Sequence, residues 1–285
     1  MYKSVGCSLK NIELLQKLKR LNILIYFGLI VNAFGQQSRP GDIALSLKKL
    51  NTVGSVLYIA AHPDDENTRL IAWLANEKCL RTGYLSITRG DGGQNLIGKE
   101  QGDHLGIIRT QELLAARRTD GGEQMFTRAI DFGYSKNPEE TFAIWAKDSI
   151  LKDVVYAIRK FRPDVIICRF GTDGSGGHGH HTASAMLAEE AFELAGDSTK
   201  FPGLNALVKP WKPKLLTWNF WIERSKMSGK TVRMEVGGYN SLLGKSYGEI
   251  AAESRSMHKS QGFGVARNRG ESFEYFKILK GDCDT

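Results

Sequence analysis

The chain has 285 residues, of which 41% are hydrophobic and 25% are charged. This composition is typical of a soluble globular protein, and the length suits one large α/β domain or one domain with extensions. Residues 1–35 hold five basic side chains and one acidic side chain, so half of the net charge of +8 lies there. The remainder carries only +4 and contains no basic run with interleaved aromatic residues, which argues against a nucleic-acid partner.

The N-terminal segment has the pattern of an export signal. Basic side chains precede an apolar stretch at 21–34, and small residues surround its end. The basic side chains are Lys17, Lys19 and Arg20. We therefore predict a signal peptide over residues 1–35, cleavage near Gly35 and an exported protein, periplasmic or extracellular, with its folded domain at 36–285. The alternative is a stable membrane anchor, although a span needs about 20 apolar residues.

Apolar residues follow helical and strand periods alternately along the rest of the chain. The patterns predict helices at 43–50, 66–77, 103–118, 149–161, 182–195 and, after a capping box at 246–249, up to about residue 260. They predict strands at 55–60, 83–88, 125–131, 164–170 and 214–222. Because strands alternate with helices, we predict an α/β fold of three layers, a mostly parallel sheet with helices on both faces.

The sequence AHPDDE, at residues 61–66, follows the first predicted strand directly. Open α/β sheets bind their ligands at such strand ends. The turn carries one imidazole and three carboxylates, a charge that is costly to bury unless a cation balances it, and a divalent metal is the simplest partner. The structural alternative for Asp64 and Asp65 is a plain helix cap, which the helix dipole favours.

A second polar segment, HGHH at residues 178–181, follows the strand at 164–170 and opens a helix. Two histidines three residues apart at the start of a helix are by themselves more often structural than ligands. Here, however, both polar segments follow candidate parallel strands, and the carboxyl ends of parallel strands share one edge of a sheet. The two segments together therefore indicate one metal site.

Zinc in hydrolytic sites takes three protein ligands from His and Asp or Glu and leaves a position for water. His62, Asp65 and His181 satisfy that count. Asp64 is then placed to take a proton from the activated water, whose pKa the metal lowers towards ~7. His178 suits a supporting role, in which it polarises a substrate carbonyl or protonates a leaving amine.

These residues resemble the PIG-L/LmbE-like N-deacetylase family, which removes the acetyl group from N-acetylglucosamine-type sugars. The similarity extends to TRGDGG at 88–93, RTQEL at 109–113 and HKSQ at 258–261. The resemblance implies a Rossmann-like fold and a hydrolase that depends on zinc or another divalent metal. It also implies a small-molecule or glycan substrate with an N-acetyl amino sugar, from which acetate is released.

The resemblance further implies a role for individual residues. The metal ligands of the family match His62, Asp65 and His181. Its general base matches Asp64, and the histidine that stabilises the tetrahedral intermediate matches His178. Substrate contacts are implied for Arg89, Asp91 and Arg109.

The sequence departs from the family pattern in two places. The second motif commonly reads His-Pro-Asp-His, whereas HGHH places a further imidazole at His180, so the choice of metal-binding histidine stays open. Some members carry a tyrosine two residues before the first histidine of this motif, where Gly176 stands here. The oxyanion would then be held by His178 and the metal alone, or by another group.

Two alternative functions remain open on the sequence. A metal-dependent hydrolase of another amide bond would use the same site and release a different product. A non-catalytic glycan-binding protein would need no general base, so Asp64 argues against it. A dinucleotide site is not indicated, because residues 90–93 do not form Gly-x-Gly-x-x-Gly.

Overall fold

The structure of the protein is a computed structural model that describes residues 16–20, 39–220, 230–262 and 264–281. The chain divides into two compact units, Met1–Ala44 and Leu45–Thr285. Most of the predicted signal peptide lies outside the described residues, so its boundary at residue 35 stays a prediction. Within the described ranges, no helix combines the length and the apolar character that crossing a membrane requires.

From residue 39 onwards, the described residues form nine strands and seven α-helices. The strands are β1 (Ser55–Ala60), β2 (Arg81–Ser86), β3 (Glu123–Phe126), β4 (Val165–Cys168), β5 (Leu215–Phe220), β6 (Thr231–Glu235), β7 (Tyr239–Asn240), β8 (Lys245–Ser246) and β9 (Phe273–Gly281). The helices are α1 (Pro40–Lys49), α2 (Thr68–Asn76), α3 (Asp103–Asp120), α4 (Pro138–Trp145), α5 (Lys147–Phe161), α6 (Gly179–Leu194) and α7 (Tyr247–Arg255). Short 3-10 turns lie at Pro202–Leu204 and Lys259–Gln261.

Seven of the described strands form one sheet in the order β3-β2-β1-β4-β5-β9-β6. The first five strands in this order are parallel, whereas β9 runs antiparallel to both β5 and β6. From β1, the middle strand of the five parallel ones, the chain first builds outwards through β2 and β3, and it then returns to the other side of β1 with β4. This reversal makes a crevice at the carboxyl ends of β1 and β4, which is where doubly wound sheets bind ligands.

Helices cover both faces of the sheet, as the side chains of β1 illustrate. Leu57 and Ile59 pack on one face with α5 and α6, whereas Val56 and Tyr58 pack on the other with α2, α3 and α7. Successive side chains of a strand point to opposite faces, so burial of every residue of β1 indicates a strand covered on both sides. The predicted three-layer, Rossmann-like α/β fold is confirmed.

The structure adds three main elements to those that the sequence predicts, α4, β6 and β9. Helix α4 starts at the pair Asn137-Pro138, a combination that is also common in turns, because the Asn137 side chain accepts a hydrogen bond from the Glu140 backbone at 2.9 Å. Strands β6 and β9 lie at the antiparallel end of the sheet and are mostly half-buried or exposed. They therefore lack the continuous apolar run by which the central strands are recognised.

Candidate active site

The candidate site lies at the carboxyl ends of β1 and β4. The first of its two segments, residues 61–67, is short because Asn67 caps α2 by accepting a hydrogen bond from the Leu70 backbone at 3.1 Å. The second segment leads from β4 to α6, whose N-cap is His178. Both helices thus begin at the crevice, and the polar residues that precede them face the same space.

The structure brings together the three residues that the sequence indicates as metal ligands. His62 Nδ1 lies 3.1 Å from Asp65 Oδ2, and His181 Nε2 lies 3.5 Å from Asp65 Oδ1. One ligand atom from each residue lies within 4.8 Å of the others. The other ring nitrogen of His181 is 2.8 Å from the Gly176 carbonyl oxygen, which fixes the ring.

The donor set fits a divalent cation. Two imidazole nitrogens and one carboxylate form the ligand set of many catalytic zinc sites, in which bonds of ~2.0–2.1 Å separate neighbouring ligand atoms by about 3.3 Å. The 3.5 Å between His181 and Asp65 is close to that separation. The Phe170 ring also stacks on the His181 ring at 3.8 Å and shields one side of it.

A second group of potential ligands shares His62 and consists of His62, His178 and His180. His62 Nε2 and His180 Nδ1 are 3.0 Å apart, which is a hydrogen-bond distance. Asp131, a buried residue that the sequence motifs do not single out, has an oxygen 3.9 Å from each of these nitrogens. Asp65 and His181 are the better partners for a cation at His62, because this group includes an anionic carboxylate that offsets the charge of the cation, whereas the other group consists of imidazoles alone.

Asp64 occupies an unusual environment for an aspartate. Its backbone has φ of 91°, a conformation that costs a residue other than glycine about 1–3 kcal/mol and is typical of functional sites. Its carboxylate lies 3.2 Å from Arg109 and 3.5 Å from Arg255. Burial and the neighbouring Asp65 raise the pKa of Asp64, and the two arginines oppose that rise only in part. The carboxylate is therefore more basic than an ordinary aspartate, as a general base needs to be.

The neighbouring carboxylate of Asp65 titrates in the opposite direction. Burial would raise the pKa of Asp65, but the charges and hydrogen bonds of His62 and His181 hold it well below its usual range. Asp65 is therefore an anion under ordinary conditions, and an anionic carboxylate is the form that binds a metal.

Glu66 is a buried anion that stabilises the acidic turn, the segment formed by residues 61–66. One oxygen accepts the Asp64 backbone N–H at 2.8 Å, and the other lies 2.8 Å from His258 Nε2 and 3.2 Å from Arg117. Burial favours the neutral form of Glu66, but the charges of His258 and Arg117 outweigh it and lower the pKa to about 2. The backbone N–H of Asp64, the candidate base, is thus held by the permanent negative charge of Glu66.

Two further motifs of the chain, HKSQ and RTQEL, contact the acidic turn and each other. In HKSQ, His258 contacts Glu66, and the Ser260 backbone and hydroxyl donate to Glu112 of α3 at 2.7 and 2.6 Å. Glu112 belongs to RTQEL, as does Arg109. These contacts join the C-terminal motif and α3 to the acidic turn, so both motifs position the site.

Arg109 lies beneath the acidic turn, where it is only 3% exposed. Its guanidinium donates to the carbonyl oxygens of Pro63 at 2.6 Å and Gly90 at 3.2 Å, and to the Asp64 carboxylate. An alanine methyl at Gly90 would come within 2.4 Å of this guanidinium, which explains the glycine there. The structure therefore places Arg109 against the backbone and Asp64, and the predicted substrate contact of Arg109 stays a prediction.

Arg89 and Asp91, the other two predicted substrate contacts, lie apart from the ligand group. They line a cavity of about 500 Å³ beside α3, and none of the three ligand residues lines it. Arg89 donates to the Thr110 hydroxyl at 3.2 Å and lies over the Phe126 ring at 4.6 Å. The structure does not bring these two residues to the acidic turn.

A larger cavity of about 740 Å³ opens directly at Asp64, Asp65 and His181. Three arginines and four phenylalanine or tyrosine residues contribute to its walls: Arg69, Arg169, Arg255, Phe170, Phe220, Phe273 and Tyr275. Arg169 and Phe170 immediately follow β4, so their place at a strand end is a signal that sequence reasoning can use. Arg255 lies at the end of α7, and no local pattern connects it with a turn almost 200 residues earlier in the chain.

His178 lies close to the rings of His62 and His181, with centroid distances of 5.2 and 5.0 Å. Its Nδ1 accepts the His180 backbone N–H at 3.1 Å. Burial and the neighbouring imidazoles lower the pKa of His178 to about 4. The ring is thus neutral near pH 7, and its proton is on Nε2, where it can be donated. The exposed Tyr134 packs against this ring at 5.2 Å, from a loop that the sequence motifs do not include.

Comparison with known proteins finds a family match for the part of the chain that carries the site. Residues 57–192 match the model of the family described as PIG-L, GlcNAc-PI de-N-acetylase. The resemblance indicated by the motifs is therefore confirmed over these residues.

Two curated relatives from Streptomyces illustrate the similarity. A mycothiol S-conjugate amidase of Streptomyces coelicolor is 31% identical over 162 residues, which cover 52% of this chain and 54% of the relative. A 1D-myo-inositol 2-acetamido-2-deoxy-alpha-D-glucopyranoside deacetylase of Streptomyces scabiei is 28% identical over 200 residues, which cover 64% and 58%. The chain thus spans little more than half the length of the curated relatives it matches.

Solved structures with the same fold differ in their reactions. The N,N'-diacetylchitobiose deacetylase of Pyrococcus horikoshii has a TM-score of 0.54 at 16% identity, with 80% of this chain and 82% of that chain covered. GalB, a 4-carboxy-2-hydroxymuconate hydratase of Pseudomonas putida, has a TM-score of 0.57 at 15% identity, with 82% and 99% covered. At these identities the likeness shows the fold alone, and the fold does not determine the reaction.

The prediction of an exported protein is wrong in the light of these relatives. One of them is named as a mycothiol S-conjugate amidase, and the mycothiol pathway is cytoplasmic. The apolar stretch at 21–34, on which the prediction depended, lies outside the described residues. A short apolar stretch after basic residues is a pattern of composition, and it does not by itself establish export.

Proposed function

We propose that this protein is a metal-dependent N-deacetylase that removes the acetyl group from an N-acetylglucosamine-type sugar or glycoconjugate and releases acetate. The observation that carries the proposal is the carboxylate of Asp64, whose pKa is raised beside the ligand group of His62, Asp65 and His181. The relatives named above support an acetamido sugar as the substrate class. The cavity of about 740 Å³ next to these residues has room for a sugar.

A divalent cation, which we propose to be zinc, would be held by His62, Asp65 and His181. When bound, it would supply the Lewis acidity that activates water and polarises the acetamide carbonyl. The protein contributes the orientation of the ligands, through the bond of His181 to Gly176 and the stacking of Phe170 on the same ring.

Asp64 acts as the general base in this mechanism. It takes a proton from the attacking water, whose oxygen then bonds to the acetamide carbon. Arg109 and Arg255 hold the carboxylate from two sides, so little reorientation is needed at the moment of proton transfer. When the carbon–nitrogen bond breaks, the proton on Asp64 passes to the leaving amine, and acetate and the free amino sugar result.

His178 stabilises the negative charge that develops on the carbonyl oxygen. Because its Nδ1 accepts a backbone hydrogen bond and its pKa is lowered to about 4, the neutral ring donates through Nε2. A neutral donor avoids the repulsion that a positively charged ring would meet beside a bound divalent cation. Removal of one such donor typically lowers kcat by ~10²–10³.

Hydrolysis of a different amide bond is the second candidate function. It is favoured by one observation, the 31% identity to a relative named as an amidase. The same base and the same ligand group would serve, and only the leaving groups would differ. The reaction product therefore separates the two candidates.

The test is to incubate the full chain, loaded with zinc, with N-acetylglucosamine, N,N'-diacetylchitobiose and an N-acetylglucosaminyl inositol, and to measure both acetate and free amine. We expect equal amounts of acetate and amine from at least one of these, and no turnover after removal of zinc by a chelator. Release of amine without acetate from an S-conjugate of an acylated amino sugar would establish the amidase instead. A chain that binds zinc and sugar without any product would contradict both enzymes and favour a glycan-binding protein.

A further inference from the structure

His180 is the additional imidazole that distinguishes HGHH from the common family motif. It is completely buried, with 0% of its surface exposed. Its Nδ1 lies 3.0 Å from His62 Nε2, whereas its Nε2 has no hydrogen-bond partner within the described part of the chain. Within the described residues, the His180 ring therefore makes its hydrogen-bond contact with His62 alone.

Two aromatic side chains hold the His180 ring in place. The centroid of the Trp145 ring lies 4.7 Å away, and that of Phe132 lies 4.4 Å away in an edge-to-face arrangement. Trp145 is itself anchored, because its indole N–H donates to the Ile130 carbonyl oxygen at 2.9 Å. His180 therefore cannot turn towards solvent, and the position of its Nδ1 is fixed.

The contact with His180 determines which nitrogen of His62 faces the candidate metal position. Since Nε2 of His62 is directed at His180, Nδ1 remains for the group that contains Asp65 and His181. A neutral imidazole that binds a cation through Nδ1 carries its proton on Nε2, and that N–H needs an acceptor. Metal-binding histidines usually donate this second N–H to a carboxylate or carbonyl oxygen, which fixes the ring.

We propose that His180 is the positioning residue for the metal ligand His62: its Nδ1 accepts the Nε2–H of His62 and so presents Nδ1 of His62 to the cation. The role rests on the proposed function, because it presupposes a cation at His62, Asp65 and His181. It replaces with an imidazole the oxygen acceptor that such histidines usually have. Asp131, 3.9 Å from both rings, is too distant to make this bond itself.

Two substitutions that differ in one property test the role. Asparagine and leucine side chains branch alike at Cγ, but asparagine can place an oxygen where His180 Nδ1 lies, whereas leucine offers only a methyl group. His180→Asn and His180→Leu therefore remove the same ring, and only the first keeps an acceptor for His62. The zinc affinity of each full-length chain is measured by competition with a chromogenic chelator, which requires no knowledge of the substrate.

We expect His180→Leu to bind zinc about 10–100-fold more weakly than the unaltered chain, and His180→Asn to recover most of that loss. Equal affinity in all three chains would overturn the role of His180 and leave the proposed function intact. An equal loss in both variants would also overturn it, because the ring packing rather than the hydrogen bond would then matter. An unaltered chain without zinc affinity would overturn the proposed function itself.

A measurement on the unaltered chain covers the case in which His180→Leu fails to fold. Nitrogen-15 histidine spectra of the zinc-loaded protein report which ring nitrogen binds the metal and which carries the proton. We expect one ligating histidine bound through Nδ1, with an Nε2 proton that exchanges slowly with water because its acceptor is buried. If every ligating histidine is bound through Nε2, the proposal is wrong.

Discussion

At the scale of single residues, two adjacent aspartates acquire opposite properties. The pKa of Asp64 is raised by burial and by its neighbour, whereas imidazoles hold the pKa of Asp65 well below the usual range. When the environments of two neighbouring groups separate their pKa values, one site can provide both a base and a permanent anion. The sequence alone shows two identical side chains, and their surroundings make them different.

The substitution Asp64→Asn should separate catalysis from metal binding. We expect kcat to fall by about 10²–10⁴, because the amide cannot accept a proton from water. The zinc content should stay unchanged, because Asp64 is not among the proposed ligands. Both quantities are measured on the same preparation, by acetate release and by elemental analysis.

The matched control is Asp148→Asn, which changes an exposed carboxylate in the first turn of α5. It should leave kcat within about two-fold of the unaltered value, since substitutions at exposed positions outside the site usually have small effects. If Asp64→Asn retains most of the turnover, Asp64 is not the base, and another carboxylate at the cavity must be sought.

At the scale of elements, the start of α6 depends on a glycine between two histidines. A methyl group at Gly179 would come within 2.3 Å of the Asn137 carbonyl oxygen and of the Ser135 hydroxyl. The Gly179 N–H also donates to the Ser135 carbonyl oxygen at 2.8 Å. The proline that is common at this place in the family would lose this bond and collide with the loop, which explains why the chain departs from the pattern.

Gly179→Ala should therefore disturb the helix start on which the three histidines of the second motif lie. We expect the free energy of unfolding to fall by about 1–3 kcal/mol, as for other overpacked positions, and zinc affinity to decrease with it. Urea denaturation and chelator competition measure the two effects.

Gly203→Ala is the control for that substitution, because a methyl group there meets no atom within 4 Å. It should change the free energy of unfolding by less than about 0.5 kcal/mol. If the two variants are equally stable, the loop around Asn137 yields readily, and the close contact at Gly179 has no consequence for the site.

At the scale of the whole molecule, a buried ionic network joins segments that are far apart in sequence. Arg117 contacts Glu66 at 3.2 Å and Asp120 at 2.6 Å, and His258 contacts Glu66 at 2.8 Å. Ser254 of α7 donates to Asp120 at 2.7 Å. The acidic turn, α3, α7 and the C-terminal motif are therefore fastened to one another by charges that have no access to water.

Glu66→Gln should destabilise the protein in a manner that depends on pH. The folded-state pKa of Glu66 is about 2, below the ordinary value of 4.5, so its charge contributes stability above pH 4.5. This contribution, about 3 kcal/mol, is lost as the pH falls from 4.5 towards 2, because the unfolded chain takes up the proton first. The stability difference between the two chains should therefore shrink over that interval.

Urea unfolding of both chains at about pH 6 and about pH 3 measures this difference. The control Glu139→Gln changes an exposed glutamate and should give no comparable dependence on pH. A difference between the unaltered chain and Glu66→Gln that stays constant from pH 6 to pH 3 would contradict a strongly lowered pKa for Glu66.

Much of the fold followed from local patterns, because periodicity and turn residues act over a few positions. The parallel strands and the helices between them were predicted in the correct order, whereas α4 and the antiparallel strands β6 and β9 were not. The Asn-Pro pair at which α4 starts is also common in turns, so it does not by itself indicate a helix. Strand β9 depends on pairing with β5, a partner about 60 residues away in the chain, and β6 depends in turn on pairing with β9.

The sequence by itself determined the resemblance to the PIG-L family, the parallel core of the sheet and the meeting of His62, Asp65 and His181, since all three follow strands whose carboxyl ends share one edge. Only the tertiary structure decided that Arg109 lies buried beneath Asp64, that Arg255 reaches the same carboxylate, and that Arg89 and Asp91 line another cavity. The tertiary structure also placed His180 in contact with His62 and brought Asp131 close to both rings. Such contacts depend on how helices pack across the sheet, which the order of residues along one helix or strand does not contain.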